Sequence, residues 1–180
     1  MPIPPWTPEA APRDAALVDA IRKRRGGELI NLDRALLWSE PLARGWNAYL
    51  GAIRRELAVD ARLREIAICI VARATGAEYE FLHHWPEYVR AGGSDGNRKR
   101  LDDPVTAADD PAFTPDERVA MRLALAMTRE IRVPRALEQD LENRFSPTER
   151  VELIATIATY NMVARFLVAT GVEPERGQQG

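Results

Sequence analysis

One segment constrains the fold of this 180-residue chain most, the sequence ARLREIAICIVARAT at residues 61–75. Asp60 before it is a plausible helix N-cap, and Gly76 after it is a stop signal. Between these ends, residues 66–72 are apolar on every side of a helix rather than along one stripe. Because such a helix is usually surrounded by other elements, the segment predicts a central helix.

Helical spacing of apolar residues also continues through most of the remaining chain. Thr114-Pro115-Asp116-Glu117 and Ser146-Pro147-Thr148-Glu149 each combine a cap, a proline at the first helical position and an acidic first turn. The predicted helices lie at about 14–25, 33–39 after an Asn31 cap, 41–57, 61–75, 115–131, 134–145 and 147–170. No segment shows the sustained alternation of a half-buried strand, so the sequence predicts an all-α fold.

A further helix begins at AEYEFLHH, and we expect Trp85-Pro86 to interrupt it, because the residue before a proline disfavours helical geometry. Residues 92–112 combine glycine, proline and mixed charge without periodicity, which indicates a long surface connection with at most a turn of helix.

The predicted organisation is one domain with two short flanking segments. Five prolines in residues 1–12 predict an extended N-terminal arm, either disordered or docked on its own or a neighbouring subunit. Residues 13–175 form a single all-α domain, and residues 176–180 form a C-terminal tail.

Composition excludes several classes of function. The formal net charge of −2 gives no positive field for nucleic acid or an anionic membrane surface. A single cysteine excludes an internal disulfide and a multi-thiolate zinc site, which fits a reducing cytoplasm. The N-terminus lacks a basic start and an apolar run, and no stretch approaches the roughly 18 uncharged apolar residues of a membrane span. We therefore expect a cytoplasmic protein with no membrane or nucleic-acid partner.

Glu80 and His84 are the first candidates for chemistry. Four residues apart on a helix, they share one face, so the carboxylate can accept the imidazole N–H and orient the ring for acid/base work. An ordinary helix ion pair is the alternative interpretation.

Glu65 is the third candidate, because it enters an almost wholly apolar helix where an isolated carboxylate is costly to bury. It either joins Glu80 and His84 in one polar site or forms a salt bridge with Arg62 or Arg64.

Two other possibilities are disfavoured. His83 and His84 diverge by about 100° on a helix and cannot both enter one tetrahedral site, so no metal is expected. Cys69 lies in an apolar run with no base beside it, which indicates a buried, inert thiol.

The stretch REIAICIVARATGAEYEFLHHWPEYVRAGG, at residues 64–93, resembles the signature of the carboxymuconolactone decarboxylase family, within the alkylhydroperoxidase D-like superfamily. The segment YNMVARFLVATGVEPE at 160–175 is similar to the same group. With the order of the helices, the resemblance spans about residues 30–175, and it implies an alkylhydroperoxidase D-like helical bundle that forms trimers or hexamers, a dimer remaining possible.

The resemblance also implies roles for particular residues. The peroxidase branch has a Glu, a CxxC pair and a His; here the Glu is Glu65, the His is His84, and the cysteine positions are Ala77 and Glu80. Without the two thiols there is no thiolate-to-sulfenate cycle at this motif. The decarboxylase branch has a Glu four residues before the His, which Glu80 and His84 match.

The expected function is therefore a carboxymuconolactone decarboxylase-like lyase that acts on a small carboxylated or lactone substrate and needs no cofactor. His84 is the general acid, Glu80 orients it and Glu65 completes the relay. Weaker candidates for substrate binding are Arg73, Tyr79, Asn161 and Arg165, the last two being equally interpretable as structural residues at a subunit contact.

The sequence leaves three interpretations of the function open. The chain is either this enzyme or a non-catalytic oligomeric scaffold, derived from a thiol peroxidase-like ancestor, that binds a small molecule in the same pocket. A residual redox role for Cys69 is the third option.

Overall fold

The computed structural model describes residues 2–175, so Met1 of the predicted arm and the predicted tail at 176–180 lie outside the described residues. No β-strand occurs in residues 2–175, which confirms the all-α prediction. The helices are α1 (Ala15–Arg25), α2 (Asn31–Leu36), α3 (Glu40–Arg55), α4 (Ala61–Thr75), α5 (Glu78–Arg90), a 3-10 helix (Asp95–Asp102), α6 (Pro104–Ala107), α7 (Pro115–Arg129), α8 (Arg135–Arg144) and α9 (Pro147–Thr170).

The chain divides into two compact units, which are described separately. Ala58–Phe166 form one unit, and the residues up to Leu57 form the other together with those from Leu167 onward. The boundaries at residues 13 and 175 of the predicted single domain stay a prediction.

Helix α4 lies at the centre of the Ala58–Phe166 unit and packs along both α5 and α7. Residues 66–72 are each no more than 1% exposed, as expected for a helix that is apolar on every side. Asp60 accepts hydrogen bonds from the backbone N–H groups of Arg62 and Leu63, and Gly76 closes the helix at φ +69°. Both predicted caps of this central helix are therefore present.

The capping sequences also define where α7 and α9 begin. Thr114 and Glu117 exchange reciprocal hydrogen bonds at the start of α7, and Ser146 and Glu149 do the same at the start of α9. Each pair satisfies amides that an uncapped helix leaves without partners.

Helix α5 differs from the prediction, because it continues through Pro86 to Arg90. Pro86 is exposed, and the residues around it that face the interior, Trp85 and Tyr88, are 3% and 1% exposed. Burial of these rings stabilises the second half of the helix despite the hydrogen bond that proline cannot donate.

The segment at 92–112 also contains more structure than expected, namely the 3-10 helix and α6. Asp103 caps α6 by accepting from the amides of Val105 and Thr106, and Leu101 is fully buried. In α2, Asn31 is the first helical residue rather than the cap, which is Ile30.

In the other unit, α3 packs against α1 and α2. The proline-rich segment lies on its own chain: Ile3 N donates to Thr170 O at 2.8 Å and Trp6 N to Arg34 O at 3.3 Å. Trp6 is 2% exposed. The described part of the arm is therefore docked on its own chain, which is one of the two arrangements that the sequence left open.

Helix α9 is the one helix of residues 2–175 that is long and apolar enough to cross a membrane, with a mean hydropathy of 1.4. Its uncharged run, residues 153–164, is shorter than the roughly 18 residues of a membrane span and includes Thr156, Thr159 and Asn161. Tyr160 packs against α5, and Asn161 donates a hydrogen bond to Thr128 of α7. These contacts are those of a core helix.

Candidate active site

The candidate site lies where α4 and α5 pack together. Glu65 is on the second turn of α4, and Glu80 and His84 lie one turn apart on α5. The three residues are 6%, 1% and 3% exposed. The site therefore consists of ionisable side chains held inside the protein rather than on its surface.

The closest polar contact in the site joins Glu65 to His84. Glu65 Oε2 lies 2.5 Å from His84 Nδ1, across 19 residues of sequence. The Nδ1–H of the imidazole donates to the carboxylate, and Nε2 is then the ring nitrogen through which a proton can be exchanged with a bound molecule. The structure thus has the direct connection between Glu65 and His84 that the relay requires.

The alternative partner of Glu65 is also present. Its second oxygen, Oε1, lies 3.6 Å from Nε of Arg64. Arg62 instead pairs with Glu117 at 3.5 Å. The carboxylate of Glu65 is therefore shared between His84 and Arg64, so the two interpretations of Glu65 are not exclusive.

Glu80 lies close to the same group of side chains. The carboxylates of Glu65 and Glu80 both act on Cys69, which is fully buried one helical turn after Glu65. Burial is the larger cause, and with these two negative charges it raises the pKa of the Cys69 thiol well above its usual value. A thiol in this environment stays protonated, as expected for an inert cysteine. The hydrogen bond expected between Glu80 and His84 stays a prediction.

Tyr160 of α9 forms the aromatic wall of the site. Its ring packs edge-on against the His84 imidazole, with centroids 4.7 Å apart and planes at 81°. Sequence reasoning missed Tyr160 and named Arg64 only as a possible ion-pair partner of Glu65. For Tyr160, the available signal was its place at the start of the second segment on which the resemblance rests.

The two weaker candidates for substrate binding on α4 and α5, Arg73 and Tyr79, contact other side chains of the protein. Arg73 pairs with Glu78 at 3.0 Å and Asp102 at 3.4 Å, and its guanidinium lies 3.5 Å above the Phe81 ring. Tyr79 stacks on His83 at 4.2 Å. A role for Arg73 or Tyr79 in binding a substrate stays a prediction.

Asn161 and Arg165 form a local network on α9. Arg165 Nη1 donates to both the backbone carbonyl and Oδ1 of Asn161, each at 2.8 Å. Asn161 Nδ2 donates to Thr128 Oγ1 at 2.9 Å and to the carbonyl of Ile157 at 3.1 Å. These bonds join α9 to α7 within the chain, and a role of Asn161 and Arg165 in substrate binding or at a subunit contact stays a prediction.

The two histidines have different surroundings. His83 is half-buried, and its Nδ1 donates to the carbonyl of Tyr79 at 2.8 Å, whereas His84 contacts Glu65. Within residues 2–175, no three His, Cys, Asp or Glu side chains come together as ligands for a metal ion.

Comparisons with known proteins give the fold a wider context. No protein-family model matches the chain, and a search of curated proteins found no match. An alkylhydroperoxidase AhpD core structure, an uncharacterized peroxidase-related protein from Ralstonia eutropha, has a TM-score of 0.81 at 16% identity, covering 98% of this chain and 93% of that one. A peroxidase-related protein from a Silicibacter species has a TM-score of 0.77 at 17% identity, covering 99% and 91%.

A third similar structure is the debrominase Bmp8, solved in complex with 2,3,4-tribromopyrrole. Its TM-score is 0.77 at 18% identity, and the match covers 97% of this chain and 92% of that one. At these identities the similarity is one of fold. The helices that carry Glu65, His84 and Tyr160 thus belong to an alkylhydroperoxidase D-like fold, which is the fold of this chain.

Proposed function

We propose that the protein is a carboxymuconolactone decarboxylase-like enzyme that uses acid/base chemistry, without a cofactor, on a small carboxylated or lactone substrate. The observation that carries this proposal is the buried 2.5 Å contact between Glu65 and His84, with a second buried carboxylate, Glu80, one turn from the imidazole. Two carboxylates around one imidazole are suited to moving a proton near neutral pH.

The reaction needs one positioned proton donor. A carboxylate β or vinylogous to a carbonyl leaves as CO2, and the electron pair of the broken C–C bond moves into the carbonyl to give an enolate. The imidazolium of His84 then donates its Nε2 proton to the carbon, and the neutral ring regains a proton from water. Glu65 accepts from Nδ1–H throughout, so it holds the ring in place and stabilises the imidazolium.

The residues at the former thiol positions favour this chemistry over peroxide reduction. Ala77 and Glu80 occupy the positions where the peroxidase branch has cysteines. Cys69 is fully buried, and burial raises the pKa of its thiol, so a reactive thiolate is not available.

The size of the substrate is supported by a protein of the same fold. The debrominase Bmp8 binds 2,3,4-tribromopyrrole, a small planar ring. We infer that the fold can hold a ring of lactone size beside the helices that carry Glu65 and His84.

The direct test is decarboxylation of carboxymuconolactone and a panel of small β-oxo and vinylogous acids in D2O. We expect CO2 release, deuterium at the protonated carbon, and turnover that survives EDTA and desalting. His84→Ala or Glu65→Gln should lower kcat/KM by about 10²–10⁴-fold, the usual contribution of a general acid/base.

Cys69→Ala is the matched control, because the residue is buried beside the same carboxylates but has no role in the proposed reaction. It should retain most of the activity. Equal turnover in His84→Ala and wild type would contradict the proposal, and binding of the panel without any turnover would favour the non-catalytic scaffold.

A further inference from the structure

Arg64 has an unusual position for an arginine. Within the Ala58–Phe166 unit it is the one arginine or lysine that is buried, at 8% exposure. It lies on the first turn of α4, next to Glu65 in sequence and in contact with it. The guanidinium thus lies inside the protein beside the Glu65–His84 pair.

The protein uses little of the hydrogen-bonding capacity of this side chain. The ion pair from Nε of Arg64 to Glu65 is 3.6 Å long, and Nε has no hydrogen-bond partner within the described chain. A distance of 3.6 Å is too long for a hydrogen bond, and a guanidinium has five N–H donors. Burying such a group is costly unless an anion compensates it.

Neighbouring arginines have closer or additional partners. Arg73 pairs with two carboxylates at 3.0 and 3.4 Å. Arg62 is only half-buried and pairs with Glu117, a residue of the α7 cap. Nε also lacks a hydrogen bond in Arg62 and Arg73, but the one carboxylate that Arg64 contacts is shared with His84.

We propose that Arg64 binds a carboxylate of the substrate beside the Glu65–His84 pair. The planar pair of Nη groups matches the two oxygens of a carboxylate, a geometry that an ammonium group does not offer. This inference rests on the proposed function and specifies its substrate class.

The carboxylate held by Arg64 is one that the reaction retains. A fixed positive charge stabilises a carboxylate against loss as neutral CO2, so holding the departing group would slow the reaction. The substrate class is therefore a small dicarboxylate, in which one carboxylate is bound by Arg64 while the other leaves.

The test uses a matched pair of non-reacting probes, 2-furoate and its uncharged amide, 2-furamide. Their dissociation constants are measured by NMR titration for wild type, Arg64→Met, Arg64→Lys and Arg62→Met. We expect 2-furoate to bind wild type at least about tenfold more tightly than 2-furamide, a difference of the size that one charge-assisted contact produces.

Arg64→Met should remove this preference. Arg64→Lys should weaken 2-furoate binding severalfold, because lysine keeps the charge but lacks the planar pair of Nη groups. Arg62→Met is the control on the same helix and should bind 2-furoate as wild type does. Far-UV circular dichroism establishes whether each variant is folded. If Arg64→Met does not fold, the 2-furoate affinity of folded Arg64→Lys decides the test.

The proposal is overturned if folded Arg64→Met or Arg64→Lys binds 2-furoate as tightly as wild type. It is also overturned if wild type fails to bind 2-furoate or does not prefer it to the amide. Neither probe is decarboxylated, so this experiment tests the role of Arg64 separately from the proposed function. Arg64-dependent binding without turnover of any acid would contradict the proposed function and leave the role of Arg64 intact.

Discussion

The surroundings of Cys69 determine how the only thiol of the chain behaves. It is 0% exposed and lies near two carboxylates on α4 and α5. A protonated, enclosed thiol reacts slowly even with small reagents, because the thiolate is the nucleophile.

We therefore expect native protein at pH 8 to react with 5,5′-dithiobis(2-nitrobenzoate) much more slowly than unfolded protein. In urea, the same assay should release one thionitrobenzoate per chain, since the sequence holds one cysteine. Rapid labelling of the folded protein would show that Cys69 is accessible and would reopen the redox option.

Tyr88 makes stability depend on pH in the alkaline range. Burial, followed by the hydrogen bond to Glu117 at 2.8 Å, raises the pKa of the Tyr88 hydroxyl above its usual value near 10. A raised pKa in the folded state means that the contribution to stability is complete below pH 10 and is lost as pH rises above it.

The variant Tyr88→Phe tests this dependence by urea unfolding at several pH values. At pH 8 it should be less stable than wild type by roughly 1–3 kcal/mol, the usual contribution of a hydrogen bond to a charged group. The difference should narrow above pH 10, where the unfolded wild-type chain ionises. A difference that stays constant up to pH 11 would contradict the assigned role of the hydroxyl.

At the level of single residues, the sequence predicted which side chains share a face of one helix better than it predicted contacts between helices. The four-residue spacing placed Glu80 and His84 on one face of α5. The contact between Glu65 and His84 joins residues 19 apart in sequence, and no local pattern specifies how α4 and α5 align. Arg64 was missed as a site residue because a basic residue at the start of a helix is usually solvated.

Among the elements, the end of α5 depends on a close approach between a glycine and an aromatic ring. A Cβ added to Gly93 would lie 2.3 Å from the Tyr88 ring, far inside van der Waals contact. Gly93 N also donates to the carbonyl of Tyr88 at 2.9 Å, which fixes the turn after the helix.

Gly93→Ala should consequently lower the free energy of unfolding by roughly 1–3 kcal/mol, as other overpacking substitutions do. Gly45 lies inside α3 with no atom within 4 Å of an added Cβ. Gly45→Ala should instead stabilise the protein by about 0.5–1 kcal/mol, because alanine restricts the unfolded chain and favours the helix. Thermal unfolding of the two variants should show shifts of opposite sign; equal shifts would contradict the steric argument.

Helix boundaries were predictable where the sequence carries caps. Asp60, Gly76 and Thr114 marked the ends of α4 and the start of α7 because their side chains or backbone geometry act within one turn. The course of α5 through Pro86 was not predictable, since it depends on the burial of Trp85 and Tyr88 against other elements. Leu101 similarly anchors a segment whose composition indicated a loop.

At the scale of the whole molecule, α9 presents apolar side chains to solvent in the isolated chain. Val151, Ile154 and Met162 are 66%, 41% and 42% exposed. Exposed apolar side chains that recur along one helix are typical of surfaces that pair with another protein. A homo-oligomer is therefore still the expected state of the protein.

Multi-angle light scattering at micromolar concentration should give a mass well above the 20.2 kDa of one chain. The double variant Ile154→Glu, Met162→Glu should lower that mass, since charge on this face opposes association. Lys99→Glu, at an exposed position of the 3-10 helix, is the control for added negative charge without loss of apolar surface. A wild-type mass near 20 kDa would contradict the expectation.

The low exposure of His84 and Glu65 limits the kinetics of any reaction at this site. Because both side chains are almost completely enclosed, we expect a substrate to reach the imidazole only in the fraction of molecules in which the surrounding helices have moved apart. The apparent affinity is the intrinsic affinity multiplied by that fraction, so weak binding does not imply poor contacts. Molecules that bind at the site should accordingly favour the opened arrangement and speed amide hydrogen exchange in α5, and mutations that loosen its packing should tighten apparent binding while lowering stability.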